Sequence, residues 1–164
     1  MSHARAGQPV TEPLDITVAM IVFNRADRAR AVFERVRNAR PRRLYIIADG
    51  PRAAVATDPE QCEAARAIAG EVDWDCEVVR DFADINLGCG GRILSGLDRV
   101  YAENEAAIVL EDDCLPHESF FGYCAEALTY YADDGRVFAV TGAKYPCEPR
   151  TLPCSYRFTR MFNG

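Results

Sequence analysis

Thr17-Val18-Ala19-Met20-Ile21-Val22-Phe23 is a continuous run, rich in β-branched residues and free of charge. A strand with one wet face alternates apolar and polar side chains. A run without that alternation predicts a strand covered on both faces, as in parallel sheets. Working outward, the same pattern recurs. Leu44 to Ala48 (LYIIA) and Ala106 to Leu110 (AAIVL) read as buried strands, Cys76 to Val79 as a short one, and Val137 to Thr141 as a fifth. Helical periodicity fills the gaps. From about Asp27 to Ala39, Ala29, Val32, Phe33 and Val36 share one face, and Pro41 follows the end. Asp58-Pro59-Glu60 opens a second helix, with Asp58 as N-cap and Pro59 at the first helical position; Gly70 closes it. A third helix follows Asn86-Leu87-Gly88, with Ile93, Leu94, Leu97, Val100 and Tyr101 as its apolar face. A fourth, from about Glu118 to Tyr131, turns Phe120, Phe121, Cys124, Leu128 and Tyr131 inward.

Strands and helices therefore alternate throughout. This predicts one α/β domain, a mostly parallel Rossmann-like sheet with helices on both faces and right-handed crossovers. Ligands of such sheets bind outside the carboxyl ends of the strands. The loops there are Phe23-Asn24-Arg25, Asp49-Gly50-Pro51, Asp84 to Gly91, and Glu111-Asp112-Asp113. Each carries polar or charged groups that its strand does not need.

A length of 164 residues suits a single domain with a real core. A net charge of -6 without a basic stripe argues against a nucleic-acid partner. A nucleotide stays open, because one metal ion and one or two arginines neutralise a pyrophosphate. No apolar run is long enough to cross a bilayer. Residues 1–14 lack the apolar stretch of a signal peptide and read as a disordered lead-in, leaving 15–164 as the domain and a cytoplasmic location as the expectation. Seven cysteines with no C-x-x-C pair do not suggest a zinc site. Cys62, Cys76 and Cys124 fall on apolar positions and read as small buried hydrophobes; Cys147 and Cys154 are the one plausible late pair, with reduced thiols the favoured state.

Glu111-Asp112-Asp113 is the most informative loop. Three adjacent carboxylates repel one another at a strand end, and a divalent cation relieves that repulsion. Mg²⁺ and Mn²⁺ prefer oxygen ligands and often combine one or two carboxylates with substrate phosphates. Strand alternation predicts that Glu111 and Asp113 share a direction while Asp112 points away, unless the turn relaxes it. A solvated acidic turn before the next helix is the plainer alternative. Gly88-Cys89-Gly90-Gly91 is equally open to two readings: a helix N-terminus offering N–H donors to a phosphate, or a flexible turn with Asn86 as local cap.

Leu110-Glu111-Asp112-Asp113, followed by Cys114-Leu115-Pro116 and Ser119-Phe120-Phe121, resembles the D-x-D-type segment of GT-A glycosyltransferases. It looks most like the Golgi N-acetylglucosaminyltransferase branch, which carries an E-D-D triplet. A bacterial group of family-two-like proteins, loosely labelled hemolysin-like glycosyltransferases, looks closer still. The resemblance spans about Ile16 to Gly164. It implies a UDP-sugar donor, Mn²⁺ or Mg²⁺ bridging the donor phosphates as a Lewis acid, and inverting transfer to an unknown carbohydrate, lipid or protein acceptor. By position, Phe23, Asn24 and Arg25 would border the nucleotide, with Arg25 facing uridine or phosphate. Asp49 would accept the uracil N–H. Asn86, Gly88 and Arg92 would lie over the nucleotide. Asp113 would ligate the metal with Asp112 beside it, and Glu111 and Asp112 would contact ribose, sugar or metal-bound water. The triplet departs from plain D-x-D, and the Asn86 to Arg92 segment departs from the commoner helix start.

An inverting transferase needs a general base. Glu118, Glu126, Asp133, Asp134 and Glu148 read as helix or loop residues, so the base and the acceptor half are expected beyond residue 164. A non-catalytic nucleotide-sugar-binding fragment is one alternative. A nucleotidyltransferase is another, although Asn24-Arg25-Ala26-Asp27 stands where that class carries a glycine- and arginine-rich loop. A response-regulator-like domain would carry its acids after the first strand. His117 reads as a surface residue and Trp74 as packing; Lys144 and Tyr145 are weak candidates at the donor sugar.

Overall fold

In the computed structural model, residues 14–142 are described. The elements are β1 (Thr17–Val22), α1 (Ala26–Ala39), β2 (Arg43–Ala48), α2 (Asp58–Arg66) continued by a 3-10 turn (Ala67–Gly70), β3 (Glu77–Phe82), α3 (Gly88–Glu103), β4 (Ala107–Glu111) and α4 (Phe120–Tyr130). The four strands form one all-parallel sheet in the order β3-β2-β1-β4. The TVAMIVF run supplies the inner strand β1, with Met20 between Ile46 and Leu110. The expected α/β architecture is what the chain adopts.

Alternation along the strands splits the core in two. Val18, Met20 and Val22 of β1, Leu44, Ile46 and Ala48 of β2, and Ile108 and Leu110 of β4 face a layer built by α1, the 3-10 turn and α4. Phe33, Met20, Leu44 and Ile46 are fully buried there; each contributes about 1.5–3 kcal/mol. On the opposite face Ala19, Tyr45 and Ile47 meet Val100 of α3. Gly96 brings that helix close, since a Cβ there would meet Ile47 Cγ2 at 2.5 Å.

Several expectations are corrected. Residues 137–141 form no strand. The run lies in solvent: Phe138 is 97% exposed, and Ala139 and Thr141 are exposed as well, so it gains neither the ladder nor the burial that holds a strand. In α3, the apolar face is rotated: Arg92, Gly96 and Val100 are the buried positions, while Leu94 and Tyr101 are exposed. Asp58 is the first residue of α2 rather than its cap; Thr57 precedes it without a side-chain capping bond. Leu14, placed in the lead-in by its sequence, is core, and its N–H donates to the Ala39 carbonyl at 3.3 Å. Trp74 packs on Phe33 and donates to the Pro41 carbonyl. Cys62 and Cys124 are buried as read, and burial pushes the Cys124 thiol up to about 11. Residues 1–13, the Cys147–Cys154 pair, Lys144, Tyr145, Glu148 and the aromatic stretch 156–164 lie outside the described residues.

Candidate functional site at the carboxyl ends of the strands

The strand order reverses between β1 and β4: from β1 the chain moves outward to β2 and β3, then returns to the other side of β1. Such a reversal leaves a crevice at the carboxyl ends, because the two loops there leave in opposite directions. Arg25 follows β1 and Asp112 and Asp113 follow β4, so the reversal places all three together. Arg25 Nε donates to Asp112 Oδ2 at 3.3 Å, Nη2 binds Asp112 Oδ1, and Nη1 lies 3.2 Å from Asp113 Oδ2. The Asp112 side chain is 4% exposed, whereas Arg25 and Asp113 are 43% and 41% exposed. Desolvation pulls the Arg25 guanidinium down, but hydrogen bonding to Asp112 and the charges of both carboxylates outweigh it and hold it above its ordinary value.

This convergence corrects the strand-alternation expectation for the triplet. β4 stops at Glu111, and a turn closed by Cys114 N–H on the Glu111 carbonyl at 3.1 Å rotates the next two residues. Asp112 and Asp113 therefore meet one cation, and Glu111 stays exposed on the strand.

Asp49 and Asn86 also come together, in a clamp. Asp49 Oδ1 accepts the Gly50 N–H at 2.9 Å and the Leu87 N–H at 2.8 Å. Asn86 Nδ2 donates to Asp49 Oδ2 at 3.0 Å and to the Gly50 carbonyl at 2.8 Å. The loops touch so closely that a Cβ on Gly50 would stand 2.3 Å from the Ile85 carbonyl carbon. Gly88 then starts α3 at φ +74°, a conformation side chains disfavour. Three of the roughly four acceptor sites of the Asp49 carboxylate are thus taken by the protein.

Arg92 does not line the crevice. It is buried, donates from Nε to the Ala48 carbonyl at 3.1 Å and from Nη1 to Ser95 Oγ at 3.0 Å, and pairs through Nη2 with Asp81 at 2.9 Å. Its donors tie α3 to the ends of β2 and β3, so the expected nucleotide contact gives way to an anchoring role.

Sequence reasoning missed one cluster. Asp58, fully buried, accepts Arg52 Nε at 2.6 Å, Nη2 at 2.9 Å and the Arg52 backbone N–H at 3.0 Å. It also accepts Asn24 Nδ2 at 3.0 Å. The hydrogen bonds from Arg52 hold the Asp58 carboxyl well below the usual carboxylate range, against a burial that would raise it. The Arg52 guanidinium sits 5.3 Å from the centre of the Phe23 ring and is half-exposed. Phe23, Asn24 and Arg52 thus gather beside Asp58 in the loops that follow β1 and β2. The one sequence signal for Arg52 is its place just past the carboxyl end of β2. His117 is exposed, and its Nδ1 engages Ser119.

No family model matches the chain, and neither curated proteins nor solved structures match it significantly.

Among the described residues no three His, Cys, Asp or Glu side chains gather closely enough to hold a metal by themselves. Two carboxylates do converge, and on a positive group. That donor set fits Mg²⁺ or Mn²⁺ when phosphate oxygens and water complete the shell. A separate concavity of about 400 Å³, lined by Asp15, Thr17, Asn104 and Leu128 among others, lies at the amino ends of the strands. Asp15 and Glu105 put two carboxylates on its wall, but its lining includes no arginine, and the strand reversal points to the opposite edge.

Proposed function

We propose that this chain binds a nucleotide-sugar, a UDP-sugar, together with Mg²⁺ or Mn²⁺, as the donor-binding domain of a GT-A-type glycosyltransferase. The observation that carries the reading is the meeting of Arg25 with Asp112 and Asp113 at the point where the strand order reverses. One buried and one exposed carboxylate with an adjacent arginine match what a metal-bound diphosphate requires: two oxygen ligands for the ion and a forked donor for phosphate.

In this reading Asp112 and Asp113 hold the ion, and Arg25 binds a phosphate oxygen. A bound Mg²⁺ or Mn²⁺ supplies Lewis-acid neutralisation of the charge on the departing nucleotide. Asn24 and Arg52, oriented by Asp58, face the nucleoside side of the crevice, and the Asp49–Asn86 clamp sets its floor. Asn24, Arg52, Asp49 and Asn86 are held by hydrogen bonds within the protein, and groups fixed in this way need no rearrangement when charge develops.

Calorimetric titration of UDP with and without Mn²⁺, on the wild type and on Asp113→Ala, tests the proposal. Micromolar binding that requires both Mn²⁺ and Asp113 supports it. Absence of binding by the wild type under both conditions overturns it. Binding without sugar transfer to water or acceptor assigns the chain to nucleotide-sugar binding alone.

A further inference from the structure

Resting on that reading, we propose that Arg25 is an electrostatic latch, which closes the Asp112–Asp113 pair in the absence of a divalent ion and turns to the donor phosphates when the ion enters. The latch makes ion and nucleotide bind cooperatively.

The argument starts from Asp112. A carboxylate that is 4% exposed needs a counter-charge at all times, because an unpaired buried charge is strongly destabilising. Arg25 supplies it through two hydrogen bonds and extends to Asp113 as well. A guanidinium held between two carboxylates stands where a divalent ion on the same oxygens would sit. Two cations cannot share that pair at contact distance without strong repulsion. Ion binding therefore has to displace Arg25.

The fold lets it leave. Arg25 immediately precedes α1, with φ -113° and ψ 69°, and its side chain makes no capping bond to that helix. Its carbonyl is fixed by the Ala29 N–H at 3.0 Å. The backbone is pinned, while the half-exposed side chain is held by Asp112 and Asp113, the groups the ion would take over. A displaced arginine loses its two carboxylates, which costs affinity for the ion alone. A diphosphate on the ion gives the guanidinium a new bidentate partner and restores the loss. By linkage, the ion then strengthens nucleotide binding by the factor by which nucleotide strengthens ion binding.

Mn²⁺ itself is the probe, followed by the paramagnetic resonance signal of the free ion, without UDP and at saturating UDP. The wild type is expected to bind Mn²⁺ weakly alone and at least about tenfold more tightly with UDP. Arg25→Gln is expected to bind Mn²⁺ alone about tenfold more tightly than the wild type and to lose most of the coupling to UDP. Arg25→Lys, which keeps the charge but not the fork, is expected to fall between them. Melting in chelator and in Mn²⁺ separates folding from binding: Arg25→Gln should gain more from Mn²⁺ than the wild type. If the wild type binds UDP with Mn²⁺ while neither variant binds Mn²⁺ alone more tightly, the latch is wrong and the site stands. If the wild type binds neither Mn²⁺ nor UDP, the metal reading of the turn fails and takes the latch with it.

Discussion

Asp58 grips Arg52 from both sides of its carboxylate, Oδ2 to Nε at 2.6 Å and Oδ1 to Nη2 at 2.9 Å, while remaining closed to solvent. The pair joins the loop after β2 to the start of α2, and Asn24 on the same carboxylate adds the loop after β1. Three segments of the crevice depend on one buried group.

The Asp58 linkage has a definite sign. Its folded pKa is depressed below that of the unfolded chain, about 3.9 for an aspartate. The resulting stability is fully present at neutral pH and is lost as pH falls below about 4 toward the folded value. Acid titration of thermal melting should therefore show a fall in midpoint that Asp58→Asn removes. Equal acid sensitivity in wild type and variant would show that the carboxylate carries no such stability.

Gly50 and Gly90 should respond oppositely to alanine. A methyl on Gly50 would strike the Ile85 backbone, at 2.3 to 2.7 Å. Gly50→Ala should cost about 1–3 kcal/mol in denaturant melting. Gly90 lies within α3 with no atom within 4 Å of the added carbon, so Gly90→Ala should stabilise by about 0.5–1 kcal/mol. Equal tolerance at both positions would contradict the close approach of the two loops.

Asp49→Ala should leave the N–H groups of Gly50 and Leu87 without their acceptor and the Asn86 amide with the Gly50 carbonyl alone. The expected cost is about 1–3 kcal/mol. Hydrogen exchange gives the sharper readout: the Leu87 amide should lose protection in the variant while amides of β1 keep theirs.

Arg92→Met should destabilise by about 1–3 kcal/mol, because the Ala48 and Asp81 carbonyls lose a donor and the Asp81 carboxylate, 18% exposed, keeps Arg99 but loses Arg92. If Arg92 anchors rather than recognises, Arg92→Lys should lower the melting midpoint while leaving the dissociation constant of Mn²⁺-dependent UDP binding nearly unchanged. A large loss of UDP affinity in a variant of normal stability would restore the ligand contact inferred from position.

The strands were legible because their burial on both faces writes itself as unbroken apolar runs, as at Leu44 to Ala48. The acidic loop stands out in the sequence because nothing in a strand end calls for three carboxylates; the structure adds that Asp112 and Asp113, and not Glu111, meet Arg25. What escaped depended on partners far away in sequence. Arg92 looks like a helix-surface cation until the carbonyls of β2 and β3 are brought above it. Asp58 before Pro59 satisfies every local rule for a cap, yet its carboxylate is taken by Arg52 and Asn24. The apolar face of α3 was misjudged because periodicity weighs Leu94 and Tyr101 by hydrophobicity, whereas close approach to Ile47 selects Gly96. The strand expected at 137–141 failed because its apolar residues find no partner layer, Phe138 being 97% exposed, and no local pattern encodes that.

Arg25 and Asp112 are separated by 87 positions in the chain. β1, β2 and β3 can zip together in order as they emerge, each beside its predecessor. β4 has to travel back across two strands before it can pair with β1. Until that last pairing, Arg25 has no acids to hold and Asp112 has no cation. The Arg25–Asp112 contact therefore forms no earlier than the β1–β4 pairing, and it should be lost when that seam loosens. A nucleotide bound as proposed would pin both sides of that seam and so act as a clasp on the sheet's most distant joint.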